Sequence, residues 1–233
     1  FHGDQGLPDE ERQLVVYRRI AAWTQGRPVI VRTLDAGGDK PIPGLTVDES
    51  NPFLGLRGLR LSLRRPDVFR TQLRALCRAA VTSPIKIMLP MVTVPGELAE
   101  ARRHLDTVVA ELAVEGVVHR RPPLGIMVEV PSVALTPERF SADFFSIGSN
   151  DLTQYVMAAA RDLDSVAHLA DTADPAVLSM IARVAEHGAK SGIEVSLCGD
   201  AASDPALVPL LLRAGLRRLS SAPGSVGRVK AAI

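Results

Sequence analysis

The stretch Asp143–Tyr155 reads DFFSIGSNDLTQY, a short apolar run followed directly by polar residues. Asp143–Gly148 has the length and the nearly continuous apolar character of a strand that is buried on both faces. The polar residues Ser149, Asn150 and Asp151 come next. Asn and Asp at this point either cap a following helix, a position they favour, or belong to a site at the end of the strand.

Similar apolar runs recur outward from this stretch in both directions. The other predicted strands are Pro28–Leu34, Ile85–Leu89, Leu124–Val130, Glu194–Cys198 and Arg217–Ser221, with Asn51–Leu56 as a possible seventh strand. Helical patterns lie between them, starting near Pro8 and Pro66 and spanning Glu97–Leu112, Pro175–Lys190 and Asp204–Ala214. Strands that alternate with helices predict a mostly parallel sheet.

The number of strands favours one fold over its main alternative. Seven candidate strands in 233 residues predict an α/β protein of the TIM-type (β/α)8 barrel class, which typically takes ~250 residues. A doubly wound sheet is the alternative, but no GxGxxG motif follows any predicted strand. A barrel has eight strands, so we expect the first strand to precede Phe1, outside this chain.

Composition excludes several classes of function. The net charge of +1 and the aromatic content of 4% argue against a nucleic-acid or membrane-surface partner. Two cysteines, Cys77 and Cys198, are too few for a disulfide framework and suit a reducing compartment. With no secretion signal at the N-terminus, the expected location is the cytoplasm.

Polar residues cluster where the predicted strands end, which is where barrel enzymes carry their active sites. They are Arg32, Asp35 and Lys40 in RTLDAGGDK, Arg57 after NPFLGL, Glu129 in LGIMVEV, Asn150 and Asp151 after DFFSIG, and Cys198 in EVSLC. Two carboxylates at neighbouring strand ends make an oxygen site suited to Mg²⁺. Arginines pair bidentately with carboxylates and phosphates, so the set suits a small, strongly anionic substrate.

Each of these residues also has a simpler interpretation. Glu129 could pair with an arginine, and Cys198 could be a small buried apolar side chain. Asn150 and Asp151 could cap a helix, and the glycines of RTLDAGGDK could form only a turn.

Six motifs together resemble enzyme I of the phosphoenolpyruvate:sugar phosphotransferase system. They are RTLDAGGDK (32–40), NPFLGLR (51–57), IKIMLPMV (85–92), GIMVEVPS (125–132), DFFSIGSNDLTQY (143–155) and SLCGD (196–200). The resemblance implies that residues 1–233 are the phosphoenolpyruvate-binding barrel domain, without the phospho-histidine and carrier-binding domains. It also implies a homodimer, and a histidine-bearing domain that passes the phosphoryl group to a phosphocarrier protein.

The resemblance also implies a role for each matching residue. Glu129 and Asp151 would bind Mg²⁺, and Cys198 would exchange a proton with the methylene carbon of phosphoenolpyruvate or of the pyruvate enolate. The implied substrate contacts are Arg32, Arg57 and Arg161, together with Asn150 through its side chain or its backbone, and Lys40 lies nearby.

The chain departs from the family pattern at three places. FHGDQGLP lacks an arginine that the family carries after its first strand, an alanine stands at Ala160 in place of an acidic residue, and Asp200 stands in place of Glu. These departures leave open a sensing and dimerisation module with weakened catalysis. A dikinase or phosphoenolpyruvate-synthase barrel also stays open, because that wider superfamily shares the SNDLTQ-like and CG-like motifs. An aldolase-like barrel is disfavoured because no Schiff-base lysine is evident, since Lys86 lies near the start of its strand.

Overall fold

A computed structural model describes residues 7–38 and 40–233 of the chain. The segment FHGDQG with His2, which is most of the arginine-free start noted above, lies outside the described residues. The chain divides into two compact units, described separately below. The first unit is Phe1–Met91 with Gly96–Gly125, and the second is Val92–Pro95 with Ile126–Ile233.

Strands and helices alternate along the described residues, as the sequence predicts. The six strands are β1 Val29–Arg32, β2 Ile85–Leu89, β3 Leu124–Val128, β4 Phe144–Gly148, β5 Glu194–Cys198 and β6 Leu219–Ser220. The ten helices described are α1 Glu10–Trp23, α2 Gly58–Arg64, α3 Pro66–Ala79, α4 Pro95–Val114, α5 Pro131–Leu135, α6 Ser149–Met157, α7 Asp164–Ala167, α8 Pro175–Ser191, α9 Val208–Arg213 and α10 Val226–Ala231.

The strands pair in parallel, each with the next strand along the chain in its unit. In the first unit β1 pairs with β2, and Val29 lies opposite Ile85. In the second unit β3 pairs with β4, β4 with β5, and β5 with β6. A doubly wound sheet would place non-consecutive strands side by side. The ladders described here instead follow the order of a TIM-type barrel, and the predicted fold class is confirmed.

One predicted strand is wrong. Asn51–Leu56 contains a 3₁₀ turn at Pro52–Leu54, and Glu49 accepts a hydrogen bond of 2.8 Å from the Leu56 backbone N–H. Proline at the first position of the turn has no N–H to give to a ladder, which is why it suits a turn better than a strand. The other strands are present, although four of them are shorter than predicted.

The first unit is held by helix packing and by ion pairs. Tyr17 of α1 and Phe69 of α3 are almost completely buried, with 2% and 1% of their surfaces exposed. On the outer side, Arg74 of α3 contacts Glu10 of α1 at 2.6 Å and Glu115, just after α4, at 2.6 Å. These ion pairs connect three helices around the strands of this unit.

The second unit buries β3 and β4 completely, as their apolar sequences predict. Helix α8 covers the sheet, and Gly188 lies so close to it that a Cβ there would be 2.2 Å from the Val195 side chain. Asp174 caps the start of α8 by accepting a 2.8 Å hydrogen bond from Ala176 N–H, and Gly192 ends the helix in the left-handed conformation. Among the described helices, none has the length and apolarity needed to cross a membrane.

Candidate active site

The ends of three neighbouring strands in the second unit carry the predicted acidic and thiol groups. Glu129 follows β3 directly, Gly148 ends β4 opposite Cys198 at the end of β5, and Asp151 lies in the first turn of α6. Both carboxylates are buried, since Glu129 is 1% exposed and Asp151 is 6% exposed. Burying two anions is costly unless cations or hydrogen-bond donors compensate them, and Arg161 supplies such a cation for Asp151.

Glycine at position 148 makes room for the Glu129 carboxylate. A Cβ on Gly148 would be 2.9 Å from Glu129 Oε2 and 3.1 Å from the Glu129 Cβ. The φ of Gly148 is −87°, which any residue can adopt, so the constraint is the contact and not the backbone. A side chain at this position would therefore displace the carboxylate.

Arg161 lies against the second carboxylate. Its Nη1 donates to Asp151 Oδ1 over 2.7 Å. The turn that brings it there follows α6, where Ala158 adopts the left-handed conformation with φ of 51°. The buried Gln154 accepts from the Arg161 N–H at 3.4 Å and steadies this turn. With 32% of its side chain exposed, Arg161 can contact both Asp151 and a ligand.

Hydrogen bonds join the start of α6 to Cys198, the last residue of β5, and to the turn that follows it. Asn150 Nδ2 donates to Asp200 Oδ2 and the Asp200 N–H donates to Asn150 Oδ1, each over 2.9 Å. Ser149 Oγ donates to the Cys198 carbonyl over 2.8 Å. Gly199, with φ of 97°, permits this approach, since a Cβ there would be 2.4 Å from Ser149 Oγ. Asn150 is predicted to contact the substrate by its side chain or its backbone, and its side chain is engaged with Asp200. Asn150 lies inside the helix and does not cap it.

The two cysteines lie in different surroundings. Cys198 is partly exposed at its strand end, where Ser146 Oγ donates to its Sγ over 3.7 Å. Cys77 is completely buried, and this burial raises its pKa to about 12. Because Cys77 is closed off from any substrate, Cys198 is the cysteine suited to chemistry.

The first unit carries two of the three predicted arginines, Arg32 and Arg57, around one buried carboxylate. Asp35, with 2% of its side chain exposed, accepts from Arg57 Nε at 3.3 Å and from Arg57 Nη2 at 3.0 Å. Arg32 Nη1 lies 3.6 Å from the same carboxylate. Arg57 is 2% exposed, and its guanidinium lies 5.6 Å from the centre of the Phe53 ring. The roles of Asp35 and Phe53 in holding Arg57 were not predicted.

The glycines of RTLDAGGDK form a turn and also pack closely against Arg57. A Cβ on Gly37 would be 2.8 Å from the Arg57 Cβ, and both Gly37 and Gly38 have positive φ. Gly37 and Lys40 exchange two backbone hydrogen bonds of 3.0 and 3.1 Å. The predicted substrate contact Lys40 is exposed at the base of this turn.

The acidic pair has the chemistry of a partial Mg²⁺ site. Within residues 7–38 and 40–233 no group of three or more His, Cys, Asp or Glu side chains is arranged to hold a metal. Mg²⁺ is commonly bound by only one or two carboxylates, with water and substrate oxygens completing its octahedron. Glu129 and Asp151 fit this pattern, since both are buried oxygen donors at neighbouring strand ends.

The fold and its strand-end side chains define a TIM-type barrel protein with its polar groups where barrel enzymes have their active sites. A family model described as the PEP-binding domain of PEP-utilising enzymes matches residues 1–233. The chain therefore belongs to that family.

Curated relatives agree with this assignment. The chain is 45% identical to phosphoenolpyruvate-protein phosphotransferase of Haloferax volcanii over 100% of the chain and 42% of the relative. It is 43% identical to the Geobacillus stearothermophilus protein of the same name, over 97% of the chain and 40% of that protein. The chain thus spans less than half the length of these relatives.

Solved structures support the fold alone. Malate synthase of Haloferax volcanii, in a magnesium and glyoxylate complex, matches with a TM-score of 0.54 at 14% identity, over 96% of this chain and 60% of that one. A citrate lyase of Burkholderia xenovorans matches with a TM-score of 0.53 at 18% identity, over 70% of this chain and 53% of that one.

Proposed function

We propose that this chain is the substrate-binding domain of a phosphoenolpyruvate–protein phosphotransferase. It binds phosphoenolpyruvate with Mg²⁺ and supports transfer of the phosphoryl group to a histidine on a separate domain, with release of pyruvate. The names of the curated relatives favour this function over a dikinase or synthase barrel. The histidine domain, the phosphocarrier partner, the homodimer and the cytoplasmic location stay predictions.

One observation carries the proposal, namely the burial of Glu129 and Asp151 at neighbouring strand ends with Cys198 on the next strand. Two buried carboxylates at neighbouring strand ends are the kind of oxygen ligand that Mg²⁺ takes, which supports a metal-binding role. Arg161 contacts Asp151 and is partly exposed, so it balances one negative charge and can also reach a substrate phosphate or carboxylate.

Each group has a separate task in the proposed reaction. Mg²⁺ would neutralise charge on the phosphoryl group and on the developing enolate. As the resemblance to enzyme I implies, Arg32, Arg57 and Arg161 would bind the phosphate and carboxylate of the substrate. When the bond between phosphorus and the enol oxygen breaks, its electron pair stays on the oxygen as an enolate. Cys198 Sγ–H then gives its proton to the methylene carbon, forming the pyruvate methyl group.

The first test is a calorimetric titration of phosphoenolpyruvate into the 233-residue chain, with Mg²⁺ and then with a chelator. The informative variant is Glu129→Gln, which keeps the size of the side chain and removes its charge. Glu138→Gln is the matched control, because Glu138 is a half-exposed carboxylate in the same unit. Circular dichroism checks that each variant is folded.

We expect Mg²⁺-dependent binding that Glu129→Gln weakens at least tenfold, a loss of about 1.4 kcal/mol, and that Glu138→Gln leaves unchanged. Binding that is indifferent to the chelator or to Glu129→Gln would contradict the proposed metal site. A folded chain that does not bind phosphoenolpyruvate at all would contradict the proposed function.

A further inference from the structure

A line of four hydrogen bonds crosses the first unit from the start of α1 to the loop after β1. The Leu34 N–H donates to Gln72 Oε1 over 2.9 Å, and Gln72 Nε2 donates to Tyr17 Oη over 3.0 Å. Tyr17 Oη donates to Gln13 Oε1 over 3.2 Å, and Gln13 Nε2 donates to the Pro8 carbonyl over 2.9 Å. Each amide accepts on one side and donates on the other, so all four bonds run in one direction.

Burial keeps the Tyr17 hydroxyl in this line protonated. Tyr17 is 2% exposed, and burial raises its pKa, an effect that the hydrogen bond from Gln72 partly opposes. The hydroxyl therefore keeps its proton at neutral pH and can donate to Gln13, itself only 8% exposed. The side-chain amides of Gln13 and Gln72 have a defined orientation in this network, since turning either one over would break bonds on both sides.

The line of hydrogen bonds ends at the loop after β1, which carries the Asp35 carboxylate that contacts Arg32 and Arg57. The Thr33 N–H still joins the sheet by donating to the Met88 carbonyl over 2.9 Å. The next N–H, that of Leu34, goes to the Gln72 side chain. The residue after it is Asp35, whose buried carboxylate contacts both Arg32 and Arg57.

We propose that Gln72 is a positioning residue for phosphoenolpyruvate binding. It anchors the backbone at Leu34 and so sets where the Asp35 carboxylate holds Arg32 and Arg57. The backbone hydrogen bonds between Gly37 and Lys40 fix the far end of this loop. The hydrogen bond from the Leu34 N–H to Gln72 fixes the end next to β1. Gln72 lies on α3 and itself touches the loop, not the guanidinium groups. This inference rests on the proposed function, because it assumes that these arginines bind the substrate.

The test compares three substitutions in the same helix. Gln72→Met keeps the length of the side chain and removes its acceptor, whereas Gln72→Glu keeps an acceptor for the Leu34 N–H. Thr71→Val is the matched control, because the Thr71 hydroxyl bonds only within its own helix, to the Asp67 carbonyl at 2.9 Å. For each variant we would measure hydrogen exchange of the Leu34 amide by NMR, phosphoenolpyruvate affinity by calorimetry, and the thermal midpoint.

We expect Gln72→Met to speed exchange at Leu34 and to weaken phosphoenolpyruvate binding about tenfold. Gln72→Glu should restore both properties to within about threefold of the original chain, and Thr71→Val should change neither. A purely structural role would lower the thermal midpoint of Gln72→Met while leaving its substrate affinity unchanged, and that result would overturn the inference.

The two proposals can fail separately. If the unsubstituted chain does not bind phosphoenolpyruvate, the proposed function is wrong, and with it the assignment of Gln72 to substrate binding. If the unsubstituted chain binds and Gln72→Met binds equally well, only the role of Gln72 is wrong. Unchanged exchange at Leu34 in Gln72→Met would show that the hydrogen bond does not anchor the loop, which also overturns the inference.

Discussion

Replacing Asp35 by Asn tests whether the buried pair with Arg57 controls the stability of the first unit. Both side chains are 2% exposed, and Arg57 donates two hydrogen bonds of 3.3 and 3.0 Å to the carboxylate. Removing one partner of a buried ion pair typically costs about 3–5 kcal/mol, because the remaining charge loses its compensation. Asn keeps one acceptor oxygen, so we expect the lower end of that range, about 3 kcal/mol.

Asp67→Asn is the matched control, since Asp67 forms the same two-pronged contact at the surface. Arg65 donates to Asp67 over 3.0 and 2.7 Å, and these hydrogen bonds hold the pKa of Asp67 below its usual value. The side chains are 40% and 62% exposed, so water screens the pair and also solvates the charges when it is broken. We expect no measurable change in the free energy of unfolding.

Urea unfolding followed by circular dichroism measures both variants, with the slope of the transition compared as well as its midpoint. The hydrogen bonds between Arg65 and Asp67 are shorter than those between Arg57 and Asp35. An argument from distance alone therefore predicts the larger loss of stability for Asp67→Asn. Equal losses in the two variants, or a larger loss for Asp67→Asn, would refute the reasoning from burial.

Two further predictions concern the backbone at Gly199 and the buried thiol of Cys77. Gly199→Ala should lower the free energy of unfolding by about 2 kcal/mol or more, because the residue has φ of 97° and its Cβ would be 2.4 Å from Ser149 Oγ. Gly192→Ala, with φ of 68° and open space around the added Cβ, should lose less in the same urea assay, and an equal loss would exclude the contact as the cause. For Cys77, burial raises the pKa from 9.0 to about 12, so above pH 9 the unfolded chain loses a proton that the folded chain keeps. Stability should then fall by up to about 1.4 kcal/mol per pH unit, and Cys77→Ala should show a shallower fall between pH 9 and 11. Identical pH dependence in the two proteins would contradict the buried-thiol explanation.

The sequence alone predicted most of the architecture, because the short, mainly apolar runs that form strands leave a local signal. Leu124–Val128 is such a run, lying between Pro123 and Glu129, and it forms a strand whose five residues are all buried. Local rules failed at Asn51–Leu56, where the apolar letters resemble a strand but Pro52 starts a 3₁₀ turn. Parallel strands bring their carboxyl ends to one edge of a sheet, and this is how Glu129 and Cys198 became candidates.

Only the tertiary structure decided which partner each candidate has. Asp35 and Arg57 are 22 residues apart, and Asn150 and Asp200 are 50 residues apart, so no local pattern connects them. The pairing with Asp200 gives the Asn150 side chain a structural contact that its motif did not reveal. Gln72 carried no signal at all, because a glutamine on a helix face is ordinary in sequence and becomes informative only when its amide meets the Leu34 N–H. Side-chain hydrogen bonds depend on distances of a few tenths of an ångström between segments far apart in the chain, and those distances exist only once the helices and strands have packed.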